Sequence, residues 1–486
     1  MGSANKSRLP LAALLVTLTT AILVWFGNGL DPWWPLLWFA PLPVLWFALR
    51  STWVSTALVA GFAWLIGSLN LWGYFHSLGM PFLVWLSIFS VASVVFIVSV
   101  LLFRALVLRG AIWRALLAFP AAWTACEYVR NLLSLHATAG SLAYTQLTFL
   151  PLLQLASITS PWGITFLLLL FPAALAIGLH LLPTDKQRAL RVTGAALGII
   201  AAVLIFGVVR LNRPAAQPLV EVGLIASDAD IPATGAETNR LLALYAQQAE
   251  QLAARGAQVV VLPEKIGVVL QSDSAAADSI FRSVADGTGS TIVVGEVFAT
   301  PAAKYNQARI YSPHAPVLTY DKHHLLPPFE SDLTPGSTLT LLPKTASSWA
   351  VAICKDMDFT PLSRHYGQDG VGLMLIPAWD FNMDRSWHGH MAIMRGMEDG
   401  FSIARAAKNG YLTVSDSRGR VLAEARSDSS PFATLLTKVP AAHQPTVYQI
   451  LGDWFGWLVI VVLGFTLAPL IRWHALAKES CAVRVA

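Results

Sequence analysis

Charge is what this sequence most lacks. Only 13% of its 486 residues are Asp, Glu, Lys or Arg, against roughly 25% in an ordinary soluble domain. The deficit is uneven, because most charges fall between Pro218 and Gln444. Outside that span the chain is too apolar for a soluble fold. Cysteine is also scarce. Cys126, Cys354 and Cys481 are the whole complement, which excludes a disulfide framework. Cys126 falls in an apolar run and reads as packing; Cys481 falls in the tail. Cys354 alone sits in the polar span, where a free thiol needs a reason. The net charge is +5, but the basic residues lie in short loops between apolar runs, so nucleic acid is not the expected partner.

What is present is hydrophobic: 55% of residues, including 18 Trp, whose indoles suit the lipid–water interface. Seven apolar segments come first, at Leu9–Phe26, Trp33–Leu49, Trp53–Phe75, Pro81–Leu108, Ile112–Tyr128, Trp162–Leu182 and Leu190–Leu211. An eighth, Trp454–Trp473, follows the polar span. Most approach the about 20 residues that cross hydrocarbon. Trp33–Leu49 carries Pro35, Pro41 and Pro43 and is expected to bend. Trp25 and Phe26 stand where a signal peptidase would need small residues, so the first segment reads as an uncleaved helix. Few charges interrupt the spans, which argues against a transporter.

Basic residues set the orientation. Lys6 and Arg8, Arg50, the group Arg104, Arg109 and Arg114, the group Lys186, Arg188 and Arg191, and Arg472, Lys478 and Arg484 all fall on one side of an eight-span arrangement. The opposite connections hold almost none. This positive-inside pattern predicts a multi-pass protein of the inner (plasma) membrane, with both termini cytoplasmic and the polar domain extra-cytoplasmic. The expected divisions are a membrane domain over 1–216, a polar catalytic domain over 217–445, and a last span with its tail over 446–486.

The polar domain reads as α/β. Short runs rich in Val, Ile and Leu predict strands at Val220–Ala226, Gln258–Pro263, Thr291–Phe298, Ala308–Ser312, Trp349–Cys354, Gly372–Pro377 and Tyr411–Ser415. Helical patterning covers Glu237–Ala254, Ala275–Asp286 and Ser386–Gly400, and Asn409-Gly410 and Arg418-Gly419 predict hairpin turns. Three polar groups follow strands: Glu264 after Pro263, Lys322 after Tyr320-Asp321, and Cys354 after Ile353. Open α/β sheets build their sites at such ends. A thiol needs a base, which Glu264 supplies on this reading. A tetrahedral oxyanion needs a positive charge, for which Lys322 is the candidate. Glu330 is placed to hold Lys322, and a turn beginning at Lys355 is expected to favour the thiolate. Trp379, Phe381 and Trp387 are candidates for an apolar lid over substrate. His323, His324, His388 and His390 lack the register of a metal motif and read as hydrogen-bonded histidines, so no metal or cofactor is expected. Arg395, Glu398 and Arg405 read as structural ion pairs.

Pro263-Glu264, the Lys322-His-His-Leu-x-Pro-x-x-Glu330 string and Cys354 together resemble the nitrilase superfamily. With eight apolar segments and the domain inserted before the last, the chain resembles that superfamily's membrane-bound branch, the apolipoprotein N-acyltransferases. Asp31-Pro-Trp-Trp-Pro-Leu36 and Ala143-Tyr-Thr-Gln146 are similar to that family's membrane part. The resemblance implies a helical membrane bundle of about eight spans bearing a nitrilase-like αββα sandwich. It makes Glu264 the general base, Lys322 the oxyanion stabiliser, Cys354 the nucleophile and Glu330 a supporting carboxylate. It implies a phospholipid acyl donor, a thioester on Cys354, and a diacylglyceryl-cysteine lipoprotein as acceptor. Two features depart from the family. Lys355-Asp356 follow Cys354 where the family commonly has Tyr-Glu, and Leu224–Pro232 lacks the family's Gln-Gly-Asn stretch and Trp. The alternative is therefore a membrane-anchored nitrilase-type amidase that hydrolyses a C–N bond.

Overall fold

The computed structural model describes residues 8–214, 217–232, 235–342 and 347–482; Lys6 and Arg484 lie outside them. The chain forms two compact units. One comprises Met1–Leu135, Gly140–Val208 and Asp453–Ala486, the other His136–Ala139 and Val209–Gly452.

The first unit is helical throughout. By length and composition, five stretches among the described residues can cross a membrane: Pro10–Gly27, Trp53–Ser77, Phe82–Leu108, Ala156–Leu181 and Lys186–Leu211. Pro35–Ala48 and Trp454–Ala468 are shorter apolar stretches. The second segment divides into helices Pro35–Phe39 and Leu42–Ala48 at Ala40-Pro41, though both junction residues keep right-handed helical φ and ψ. Ala156–Leu181 breaks at Ser160, whose φ is 57°, just before Pro161 removes a backbone donor. Ile112–Leu133 runs five residues past its apolar run and carries Glu127 within it. That carboxylate is buried and fully partnered. Trp123 Nε1 and the Leu142 N–H donate to Oε1, and the Ser141 and Thr165 hydroxyls to Oε2, all at 2.9–3.0 Å. A carboxylate inside such a bundle is costly unless its lone pairs are used; this one holds the turn Leu142–Gln146 in place. Cys126, read as packing, instead faces outward. It occupies the helix face opposite the buried one, so it fills no core.

The second unit is a sandwich of two sheets. The first sheet contains β1 (Leu219–Ala226), β2 (Val259–Val261), β3 (Val268–Leu270), β4 (Thr291–Ala299), β5 (Lys304–Tyr311), β6 (Leu318–Asp321) and, at its other edge, β13 (Ala433–Pro440). Its order is β13-β1-β2-β4-β5-β6, with β3 also paired to β4. The second contains β7 (Leu341–Leu342), β8 (Ser348–Val351), β9 (Val371–Trp379), β10 (Ser402–Lys408), β11 (Tyr411–Ser415) and β12 (Val421–Arg426), ordered β12-β11-β10-β9-β8-β7. In each sheet the centre is parallel: β1, β2 and β4 in one, β8, β9 and β10 in the other.

The pleat sorts the side chains. Val259, Val261 and Val293 enter the core between the sheets, with Ile353, Leu375 and Ile403 of the second sheet. Val260, Ile292 and Val294 point the other way, under helices Gly235–Ala254 and Ser274–Thr288. Successive residues alternate faces with period two, so both faces of β2 and β4 are buried and both read as apolar. Helices Thr360–Gln368 and Trp387–Asp399 accompany the second sheet. Four layers result, αββα. The Asn409-Gly410 turn joins β10 to β11, with Asn409 at φ 53°.

Candidate active site

Three strand ends bring the polar groups together. β2 stops at Val261, and Leu262-Pro263 carry the chain to Glu264. There the Glu264 N–H donates to the Ala378 carbonyl on β9 at 3.2 Å, tying one sheet to the other. The approach needs Gly295 on β4, because a Cβ there would lie 2.4 Å from the Pro263 carbonyl oxygen. The β5–β6 pairing continues one step past the strand, with the Lys322 N–H donating to Asn306 O at 2.8 Å. Tyr320 and Lys322 therefore share the inward face, opposite Asn306.

β8 ends at Val351, and Cys354 begins a 3-10 turn, Cys354–Asp358, rather than closing the strand as the sequence suggested. Its φ is 45°, a left-handed conformation that costs a residue with a Cβ roughly 1–2 kcal/mol. Such strain concentrates at functional sites. Asp356 holds the turn. Its carboxylate accepts from the Ile353 N–H at 3.1 Å, the Tyr320 hydroxyl at 2.7 Å and the His324 N–H at 2.8 Å. The thiol donates to the Trp379 carbonyl, 3.4 Å away.

The charged groups form one buried array. Lys322 Nζ lies 2.8 Å from Glu264 Oε1 and 2.9 Å from Glu330 Oε2. Asn306 Nδ2 donates to both carboxylates, at 2.5 and 2.7 Å. The Leu326 N–H donates to Glu330 Oε2 at 2.8 Å, and Lys265 Nζ reaches Oε1 at 2.8 Å. Glu264, Lys322 and Glu330 are each at most 2% exposed.

Burial opposes the Lys322 charge, but the Glu264 and Glu330 carboxylates outweigh it and hold the ammonium above the usual lysine range. Burial likewise opposes the Glu330 charge, yet Lys322 and Lys265 pull its carboxyl down to about 2. Burial, reinforced by Glu264, pushes the Cys354 thiol well above its ordinary value, against Lys322 and Arg405. This corrects the expectation that the turn would favour the thiolate. At rest the sulfur keeps its proton, because desolvation of a thiolate costs more than one turn and one paired lysine return.

The lid candidates separate. Trp379 ends β9 with Lys408 Nζ 4.4 Å and Lys265 Nζ 5.1 Å from its ring centroid. Phe381 packs on Phe329, centroids 5.3 Å apart. Trp387 begins the helix Trp387–Asp399 and is half-buried. Phe329 is 51% and Met383 47% exposed, an apolar rim the sequence did not single out. Two of the histidines have close partners. His324 stacks on Phe359, centroids 3.6 Å apart. His388 Nδ1 lies 3.3 Å from Asp358 Oδ1 and its Nε2 3.6 Å from Asp384. Arg395 pairs with Glu398 at 2.7 Å, and Arg405 forks onto Asp380. Lys265, Asn306 and Asp356 also escaped the sequence reading; only the adjacency of Lys265 to Glu264 hinted at one of them.

Residues 12–175 match the family model for the apolipoprotein N-acyltransferase N-terminal domain, and residues 229–437 match that for carbon-nitrogen hydrolase. An apolipoprotein N-acyltransferase of Geobacter metallireducens is 27% identical over 71% of this chain and 72% of its own. That of Haemophilus influenzae is 25% identical over 90% and 91%. These matches support the apolipoprotein N-acyltransferase family for this chain. It is a membrane-associated N-acyltransferase of the carbon–nitrogen hydrolase superfamily. Among solved structures, an amidase from Nesterenkonia sp. is similar at 22% identity, covering 47% of this chain and 92% of its own with a TM-score of 0.40. A Saccharomyces cerevisiae member of the nitrilase superfamily is similar at 18%, covering 49% and 97%, with a TM-score of 0.41.

Proposed function

We propose that this enzyme takes an acyl chain from a phospholipid of the inner membrane, holds it as a thioester on Cys354, and passes it to the α-amine of a diacylglyceryl-cysteine lipoprotein. The reading is carried by one observation. A strained thiol shares its surroundings with a buried Glu264–Lys322–Glu330 array, in a chain whose residues 12–175 match the apolipoprotein N-acyltransferase N-terminal domain.

Glu264 removes the Cys354 proton as sulfur attacks the ester carbonyl. This defers the cost of a buried thiolate to the moment of reaction. Lys322, held charged by its carboxylates, stabilises the oxyanion, and the Lys355 N–H adds a donor. Collapse breaks the ester C–O bond. The leaving lysophospholipid oxygen takes the proton from Glu264. In the second half the lipoprotein amine attacks the thioester, Glu264 accepts an amine proton, and the departing sulfur recovers it. Water as acceptor would give an amidase-like hydrolase instead. Trp379, Phe381 and Trp387, with Phe329 and Met383, receive the acyl chains. Both substrates are lipids, which accounts for a hydrolase fold mounted on apolar helices. In this reading the domain is extra-cytoplasmic and both termini are cytoplasmic.

The test is mass spectrometry of the protein in membranes supplied with phosphatidylethanolamine and a diacylated lipopeptide. The expected result is an acyl adduct on Cys354 and a third chain on the peptide. No adduct and no triacylated product would overturn the reading; an adduct released only as free fatty acid would move it to the hydrolase.

A further inference from the structure

Lys265 is not needed to hold Lys322, yet it is built into the same array. It follows Glu264 directly, its Nζ lies 2.8 Å from Glu330 Oε1, and its side chain is 15% exposed. Its φ is 52°, so the backbone is strained at this position and a glycine would sit there more comfortably. The opposite face of its ammonium looks onto the Trp379 ring at 5.1 Å, the residue whose carbonyl receives the Cys354 S–H.

The charges can be followed from the thiol outward. Glu264 is negative, Lys322 positive, Glu330 negative and Lys265 positive, linked at 2.8, 2.9 and 2.8 Å. With Lys265 the chain of four sums to zero; without it the buried array carries one net negative charge. The other groups bearing on Cys354 are Arg405 and Asp380, which neutralise each other as a pair, and Lys355, whose charge Asp358 offsets. Lys408 lies across the Trp379 ring and is itself held by Asp230 and Asp228. Lys265 is therefore the cation whose removal unbalances the site.

We propose that Lys265 is a positioning residue for acylation: it neutralises the outer oxygen of Glu330, so that the Lys322 charge remains available to the developing oxyanion and to the Cys354 sulfur. Without Lys265, Glu330 draws wholly on Lys322, and each negative charge formed during acylation meets an uncompensated one. This rests on the thioester reading above.

The test is single-turnover acylation of Cys354 across pH 5 to 10, in detergent with phosphatidylethanolamine, for the wild type and three variants. Lys265→Met removes the charge. Lys265→Gly removes the charge and fits the left-handed backbone, which separates electrostatics from folding. Lys265→Arg restores the charge. The expected outcome is a fall of about ten- to a hundredfold at pH 7 in both uncharged variants, with the pH profile displaced from that of the wild type. KM for the phospholipid should be unchanged, and Lys265→Arg should approach the wild-type rate. Wild-type acylation rates with an unmoved pH profile in Lys265→Gly would overturn the proposal, as would a uniform loss at every pH that arginine does not rescue. If the wild type itself forms no adduct on Cys354, the thioester reading has failed, and that result is recognisable before any variant is compared.

Discussion

At the residue scale the chemistry depends on what burial does to each ionisable group. Glu264→Gln keeps the shape of the array but cannot accept the thiol proton, and Lys322→Ala removes the charge between two carboxylates. Each is expected to lower single-turnover acylation by at least about a hundredfold while leaving the domain folded, as judged by its melting profile and far-ultraviolet dichroism. Near-normal rates in either would refute the assigned roles. Another buried carboxyl lies away from the site. Glu296, on the helix-facing side of β4, is pushed up to about 8 by burial, only partly offset by Arg309. Folded, it keeps its proton between about pH 4.5 and 8; unfolded, it loses it. Stability therefore falls as pH rises through that window, by at most about 1.4 kcal/mol per unit. Glu296→Gln should flatten this dependence, so the melting difference between variant and wild type should widen from pH 5 to pH 8. A constant difference would show that Glu296 does not titrate there.

At the element scale the site depends on two sheets packed face to face, with strand ends from both brought together. Arg405 on β10 forks onto Asp380 just beyond β9, and both are buried. Arg405→Met alone strands a carboxylate and should cost roughly 3–5 kcal/mol, whereas Arg405→Met with Asp380→Leu should recover much of that loss. A chemical-denaturation midpoint for the two variants decides it; equal losses would mean the pair contributes packing alone. Gly295 makes the same point through sterics. Gly295→Val places carbon where the Pro263 carbonyl stands, so it should displace Glu264 and lower acylation more than it lowers the melting point.

At the scale of the whole molecule the expectation concerns the membrane. Single cysteines introduced into a Cys126→Ala, Cys354→Ala, Cys481→Ala protein report which side each loop faces. Asp185→Cys, beside Lys186 and Arg188, should react with an impermeant maleimide only after the inner membrane is opened. Asp273→Cys, in the hydrolase domain, should react before. The reverse pattern would invert the orientation. Cys126 has to be removed for this test because it lies on an outward face.

Much of this protein is dictated by composition. A charge-poor chain with long apolar runs has no soluble solution, and a single polar span within it can fold only as a domain apart. Glu264, Lys322 and Cys354 stood out because each follows a strand-like run, and Glu330 because of the string it shares with Lys322. Other features required the tertiary structure. β10, β12 and β13 were missed because Ser402–Lys408, Val421–Arg426 and Ala433–Pro440 carry charge or alanine and are strands only through their neighbours. Asn306, Asp356 and Lys265 could not be assigned partners, because β5–β6 register, the turn after β8 and a left-handed backbone set them. The protonated state of Cys354 belongs here too. Sequence places a thiol at the start of a turn; only the closed sandwich, by excluding water from both sides of it, makes its thiolate the costly form.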